Sequence, residues 1–280
     1  MTAPKISVVL PLLVPTPFLR AMTEFAIKTL RLHADGPFEL IVVEAEGNHF
    51  DSRKEWCRPR DIGPDGPAMY DEHYEDDPWM KIDKYLNFTP KIGGVRELNA
   101  AVDAASCNIV LFTGNDVIVP PGWDTEILRV FEDRSDAAGV SLSAFEPGAI
   151  VGPRTPIDHI VEGFYSPFFA FRRGWRFDEA YVKIYQDSDL VMRMYDAGKR
   201  VFRSCRKIVH HLNRMTSDRV NPEQHARDLA RDERLFYQRW GKSPLAIFAM
   251  TRAGAYLYGR EHESWTAPIN LHYDPNKLEG

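Results

Sequence analysis

Apolar positions along this chain follow two periods. Ile6–Leu10, Phe38–Val43, Ile109–Phe112 and Phe168–Phe171 are short runs rich in β-branched and aromatic residues, which predicts strands. Pro11 ends the first run, and the second reads as buried on both faces. Helical spacing takes over elsewhere. Thr16-Pro17 is a helix start, followed by Phe18, Met22, Phe25, Thr29 and Leu32 as one mostly apolar stripe, with Gly36-Pro37 as the stop. Gly93-Gly94 opens a helix whose buried stripe is Val95, Leu98, Val102 and Ala105, with Glu97 and Asn99 off it. A further helix from Asp124 carries Ile127, Leu128 and Phe131 inward. Another, over Asp187–Ala197, buries Leu190, Val191 and Met194 and stops at Gly198. Val140–Ala144 reads as a strand, and Val201–Phe202 and Ile208–Val209 as short extended pieces before His210 and His211. Strand, helix and strand over the first 43 residues, with short connections, predict a parallel, right-handed unit.

Three stretches break the pattern. Residues 48–90 contain Gly63-Pro64, Gly66-Pro67 and the acidic aromatic run Tyr70–Asp77, and read as an inserted loop with a short helix around Met80–Leu86. Such a loop is either a lid or a solvated excursion. Glu146–Glu162 is a loop interrupted by proline and glycine. Near the end, Asn221-Pro222-Glu223-Gln224 caps a helix that runs through Leu229, Leu235 and Phe236 to Trp240-Gly241. The aromatic tail from Lys242 has no period and is expected to pack on the main domain or on a partner subunit. This divides the chain into a main domain over residues 1–215 and an appended helix and tail over 216–280.

Composition narrows the class. Hydrophobic residues make up 44% and charged residues 27% of 280 residues, as in globular proteins with a full core. A net charge of −5 argues against non-specific nucleic-acid binding as the main task. Cys57, Cys107 and Cys205 are too few and too scattered for a zinc site or a disulfide framework, and a reducing, cytoplasmic setting is expected. The N-terminal run faintly mimics a signal peptide, but Pro11, Pro15 and Pro17 oppose a helical signal core.

The chemistry centres on Asn108–Trp123, NIVLFTGNDVIVPPGW. A buried strand ends in Thr113-Gly114-Asn115-Asp116, and a carboxylate at the C-terminal mouth of such a strand lies where open α/β sheets bind ligands. Asp116 could equally be a turn aspartate.

From Asn99, NAAVDAASCNIVLFTGND resembles the pattern Asn-x-Gly-Ile, Ala-x-Gly, then a strand ending in Asp-x-Asp, of family 2 nucleotide-sugar glycosyltransferases. Three later blocks agree in order: Gly174-Trp-Arg-Phe-Asp-Glu followed by Gln186-Asp187-Ser188-Asp189-Leu190, then Ile208-Val209-His210-His211, and Tyr237-Gln-Arg-Trp-Gly. The resemblance spans about residues 5–241 and departs at two places: Gly114 stands for the first Asp of Asp-x-Asp, and Gln186 for the Glu before Asp187.

The resemblance implies an α/β, GT-A-like fold of the nucleotide-diphospho-sugar transferase type, with a mostly parallel central sheet, flanking helices and a C-terminal helical extension. It implies transfer of a sugar from a nucleotide-sugar donor, a UDP-sugar foremost, to an acceptor hydroxyl with inversion. Asp187 is then the general base, with Asp189 its competitor, and a structural N-cap the bland reading of either. Asp116 would hold Mn²⁺ or Mg²⁺ that otherwise rests on phosphate and water. His210 is a late metal or phosphate ligand, with His211 the adjacent candidate, and a structural histidine is the alternative for both. Glu44 would contact the uridine or ribose, Pro11, Leu12 and Leu13 the nucleobase through their backbone, and Asn115 the ribose or a water. Lys91 and Arg96 flank the expected diphosphate. The acceptor is open among protein, glycan, lipid and modified nucleic-acid base. Two rivals stand beside this reading: a sugar nucleotidyltransferase, disfavoured by LLVPTP after the first strand, and a non-catalytic binding module, favoured by Gly114 and Gln186.

Overall fold

The computed structural model describes residues 3–12, 16–45, 57–60, 68–72, 78–88, 91–145, 160–162, 167–212, 222–243, 256–257 and 260–261. The chain begins β1 (Ile6–Leu12), α1 (Pro17–His33), β2 (Glu39–Ala45), β3 (Cys57–Arg60), β4 (Ala68–Glu72) and β5 (Lys84–Phe88). It continues α2 (Gly94–Ala104), β6 (Ile109–Thr113), β7 (Val117–Ile118), α3 (Trp123–Asp133), β8 (Ala137–Phe145), β9 (Ile160–Glu162) and β10 (Phe168–Arg172). Then come α4 (Gln186–Asp196), β11 (Arg200–His211) and α5 (Pro222–Trp240), with β12 (Tyr256–Leu257) and β13 (Arg260–Glu261) as a separate antiparallel pair.

Among the described residues the main sheet has 11 strands in the order β3-β4-β5-β2-β1-β6-β10-β8-β11-β7, with β9 on β11. Its centre, β5-β2-β1-β6, is parallel. Strand β10 runs antiparallel between β6 and β8, so β8 and its parallel neighbour β11 point the same way as β6. The parallel character therefore holds at the centre and lapses towards both edges, where β4 and β7 pair antiparallel with β5 and β11.

Two apolar layers sandwich the sheet. On one face α1 and α3 pack around Trp123, fully buried and edge-on to Phe38 and Phe168 at 5.3 and 5.5 Å. On the other, α2, α4 and Phe236 of α5 cover Val9, Val43, Phe169 and Val201.

Several expected elements differ, each for a tertiary reason. Strand β1 runs through Pro11, because beyond Val9 it pairs with β2 alone and the missing N–H meets no ladder partner. Met80–Leu86 is not a helix: Pro78–Met80 is a single 3-10 turn and Lys84–Phe88 is β5, parallel to β2. The two extended pieces after α4 are one strand, β11, with a register shift between Ser204 and Ile208. The α1 cap is as expected, Thr16 Oγ1 accepting from Leu19 N–H at 3.2 Å. The stripe is so only in part: Met22 and Thr29 are buried, but Phe18, Phe25 and Leu32 are exposed, and Leu19, Thr23, Ala26, Ile27 and Leu30 are buried instead. Glu97 and Asn99 lie off the apolar stripe of α2 and are nonetheless buried. The Asn221 cap lies outside the described residues, as do the tail beyond 261 and most of the residue 48–90 stretch. No helix among the described residues is long and apolar enough to cross a membrane.

Buried and half-buried carboxylates are held by donors from elsewhere in the chain. Burial by itself would raise Glu39, but Lys84 at 2.6 Å, the Ser106 N–H and the Ser7 hydroxyl outweigh it and hold the carboxyl below its ordinary value. Asp83, Glu126 and Asp178 show the same balance, burial outweighed by the Leu40 N–H with Arg31, by Arg129 with Ser204, and by the Ala180 N–H with Arg239. A carboxylate whose pKa is lower in the folded state stabilises fully above its unfolded pKa and stops doing so as pH falls through the folded one. Stability is thus expected to fall as pH drops below the ordinary 3.8–4.5 range of these groups, which acid titration followed by circular dichroism checks. Glu233, raised by burial, acts in the opposite sense.

Candidate active site

The strand order reverses at β1, which has β2 on one side and β6 on the other. A crevice outside the C-terminal ends of parallel strands at such a point is where open α/β sheets bind ligands. Here that edge carries Leu12, Ala45 and Thr113. Helices α2 and α4 lead by short turns into the starts of β6 and β11, so their positive N-termini return to the same edge.

At the mouth of β2, Glu44 is buried, its Oε2 accepting from the Tyr85 hydroxyl on neighbouring β5. Pro11 and Leu12 lie opposite Val43 and Glu44 in register, and Leu13 is outside the described residues. Asn115 is buried and donates from Nδ2 to Thr23 Oγ1 of α1 at 2.9 Å, so its amide ties the tip of β6 to a helix.

Asp116 is buried beside β7, which pairs with the end of β11. Its backbone carbonyl accepts from Leu212 N–H at 2.9 Å. Strand alternation sends the two histidines apart. His211 Nε2 comes to 3.6 Å from Asp116 Oδ1, whereas His210 is exposed and lies edge-on to Phe145 at 5.6 Å. Of the two, His211 is the imidazole at Asp116. Gly114 explains how Asp116 sits: a Cβ there would lie 2.6 Å from Asp116 Oδ1. The carboxylate fills the space a side chain at 114 would occupy.

From the lower end of the sheet, residues 173–185 climb α2 towards its N-terminus. Asn99 is the first rung, its Oδ1 accepting from Phe177 N–H and its Nδ2 donating to Phe177 carbonyl, both at 3.0 Å. Arg96 meets Glu179 at 3.4 Å, and Gly94 faces the Val182 carbonyl so closely that a Cβ would come to 3.3 Å. Glu97 caps the helix by accepting from Ile92 and Gly93 N–H at 3.1 and 3.2 Å, and Lys91 is exposed just before it. Lys91 and Arg96 thus lie at the N-terminus of α2, with Arg96 already paired.

This climb delivers the start of α4. Asp187 is half-buried in its first turn, Oδ1 accepting from Ser188 N–H at 2.7 Å. Its competitor Asp189 is 0% exposed and surrounded by donors: Arg193 Nε at 2.7 Å, Arg239 Nη1 at 2.8 Å, Trp240 Nε1 at 3.0 Å and Tyr181 Oη at 3.2 Å. Burial pushes the Tyr181 phenol up, and the Asp189 charge adds to it, so this donor keeps its proton. Burial would lower Arg239, but its bonds to Asp189 and Asp178 win and keep it charged. Asp189 is thereby a structural hub, and Asp187 is the carboxylate left at the edge. Among the described residues Gln186 Oε1 is buried without a hydrogen-bond partner, and so are Ser141 Oγ and Arg203 Nε, register neighbours on β8 and β11 that sequence reasoning missed.

No protein-family model and no curated protein matches the sequence. Solved structures do match in shape. S. aureus TarS 1–349 superposes with TM-score 0.56 over 85% of this chain and 66% of that one, at 15% identity. The mannosyltransferase PcManGT from Pyrobaculum calidifontis, in complex with GDP-Man and Mn2+, gives 0.55 over 91% and 70%, at 17% identity. The fold is GT-A-like. At these identities the likeness is one of architecture, and this chain spans 45% of TarS in its longer form. Other TarS 1–349 structures with the same GT-A-like shape hold UDP or UDP-GlcNAc.

Among the described residues no group of three or more His, Cys, Asp or Glu could hold a metal ion. Asp116 Oδ1 and His211 Nε2, 3.6 Å apart, fit a two-ligand site whose remaining positions go to phosphate oxygens and water, the habit of hard divalent cations.

Proposed function

We propose that this chain is a nucleotide-sugar glycosyltransferase acting with inversion, metal-assisted, with Asp187 as general base. The observation that carries the reading is the Asp116–His211 pair, supported by the topology, which assigns Glu44, Asp187 and the N-termini of α2 and α4 to the same, C-terminal edge of the sheet. A departing nucleoside diphosphate needs its growing negative charge neutralised. Asp116 and His211 would hold Mn²⁺ or Mg²⁺, which supplies that neutralisation when bound. The helix N-termini and the exposed Lys91 add positive potential at the same edge. Glu44, oriented by Tyr85, is suited to accept from a nucleobase N–H or ribose hydroxyls, and the backbone of Pro11 and Leu12 borders it.

Asp187 accepts the proton of the acceptor hydroxyl as that oxygen attacks the anomeric carbon, on the side opposite the leaving diphosphate. One displacement of this kind inverts the anomeric centre. The GT-A-like fold supports the donor class, since neighbours of this shape hold UDP, UDP-GlcNAc and GDP-Man. A UDP-sugar is the first donor to test.

A thermal-shift panel of UDP, GDP, dTDP and CMP compounds, with and without Mn²⁺, tests the binding half. Ligand at about a hundredfold over Kd stabilises by about 2.7 kcal/mol. The expected result is a rise in Tm with a UDP compound that grows with Mn²⁺ and is lost in Asp116→Ala. No shift with any nucleotide sinks the proposal, and a shift without turnover of any donor favours a binding module instead.

A further inference from the structure

Helix α5 reaches the segment that carries Asp187 at three points, all on one face. Asp232, Phe236, Arg239 and Trp240 are spaced i, i+4, i+7 and i+8, the period of a single helical stripe. Arg239 and Trp240 hold Asp189, and the Phe236 ring lies 6.1 Å from that of Tyr185. Asp232, 0% exposed, turns its carboxylate to the backbone that precedes α4. Val182 N–H donates to both oxygens at 3.1 Å, and Lys183 and Ile184 N–H each donate to Oδ2 at 2.9 Å.

Successive amides gathered on one anion form a nest. Without Asp232 these part-buried donors would lose the acceptor that gathers them, which costs free energy. The turn they shape ends at Tyr185, the one non-glycine residue among those described with positive φ, at 62°. A bulky residue stays in the left-handed region only where its surroundings hold it there. Two residues later comes Asp187, so the angle at Tyr185 sets where α4 starts and how it presents that carboxylate.

We infer that Asp232 is a positioning residue: by gathering the amides of Val182, Lys183 and Ile184 it holds Tyr185 left-handed and so aims Asp187 at the site. The functional half of this rests on the reading of Asp187 as base, while the physical half does not. A small misplacement of a reacting group can cost about 10²-fold in rate.

The test compares Asp232→Ala, Asp232→Asn and, as a control, Ile127→Ala in the core of α3 on the opposite sheet face. Amide hydrogen exchange of residues 182–189, donor KM and kcat are measured together. Asp232→Ala is expected to speed exchange at 182–184 more than about tenfold. It should also lower kcat about 10²-fold with donor KM within about twofold. Asp232→Asn keeps an oxygen where Oδ2 was and should restore most of both. Ile127→Ala should lower Tm and leave kcat and the loop exchange alone. Wild-type exchange at 182–184 in Asp232→Ala, or a kcat loss no larger than that of Ile127→Ala, overturns the inference. If Asp232→Ala does not fold, Asp232→Glu, which displaces the carboxylate by one methylene, takes its place: a lower kcat at unchanged Tm supports the inference and wild-type kcat refutes it. Wild-type kcat in Asp187→Asn would sink the base assignment while leaving the exchange result intact, and if no donor turns over the exchange measurements decide alone.

Discussion

Replacing Asp187 by Asn is expected to lower kcat by about 10²–10⁴-fold, the range that a positioned proton acceptor contributes. The exchange is nearly isosteric. An Asn oxygen can still accept from Ser188 N–H, so the first turn of α4 keeps this local bond while the ability to take a proton is lost. Donor KM and the nucleotide-induced rise in Tm should therefore hold near wild type. Release of nucleoside diphosphate at saturating donor and acceptor measures the effect, and equal rates in the two proteins would remove Asp187 from the chemistry. The neighbouring Asp189→Asn would not give this signature. Two of its four donors, Arg239 and Trp240, bind the start of α4 to α5, so loss of charge there acts on stability as well as rate.

The largest stability effect is expected at Trp123→Ala. The indole is fully buried between α1 and the sheet, meets Phe38 and Phe168 edge-on, and donates from Nε1 to the Leu30 carbonyl at 3.1 Å. Removing so large a side chain from a packed core costs about 3–5 kcal/mol, and here it also strips Leu30 of a donor. At about 2–4 °C per kcal/mol for a domain of this size, Tm should fall by roughly 6–20 °C. Calorimetry reads this directly. A loss below about 1 kcal/mol would mean that Trp123 is not the centre of the α1–α3 layer.

Elements with strong local signals were legible in the sequence. Thr16-Pro17 caps α1, Gly198 with φ 71° closes α4, and the apolar run before Asp116 is β6. What failed depended on partners distant in the chain. In α1, Phe18, Phe25 and Leu32 make an apolar row as regular as the one that is buried. The sheet takes the neighbouring phase, where Thr23 and Ala26 allow close approach and Thr23 receives Asn115. Tyr85 and Leu86 become strand because β2 offers its edge. Asp187 and Asp189 share a helix turn, and it is the donors gathered from Tyr181, α4 and α5 that mark Asp189 as a hub. Asp232 had no signal of its own beyond helical spacing to Phe236, and its three amide partners lie about fifty residues back.

The crowding between position 114 and Asp116 has a consequence for redesign. Since the carboxylate at 116 occupies the volume a side chain at 114 would need, the identity of one position and the rotamer of the other are coupled. Placing an aspartate at 114 would not simply add a ligand. It would first push aside the Asp116 carboxylate, the movable end of a side chain, so a doublet built here would start from a repositioned first ligand.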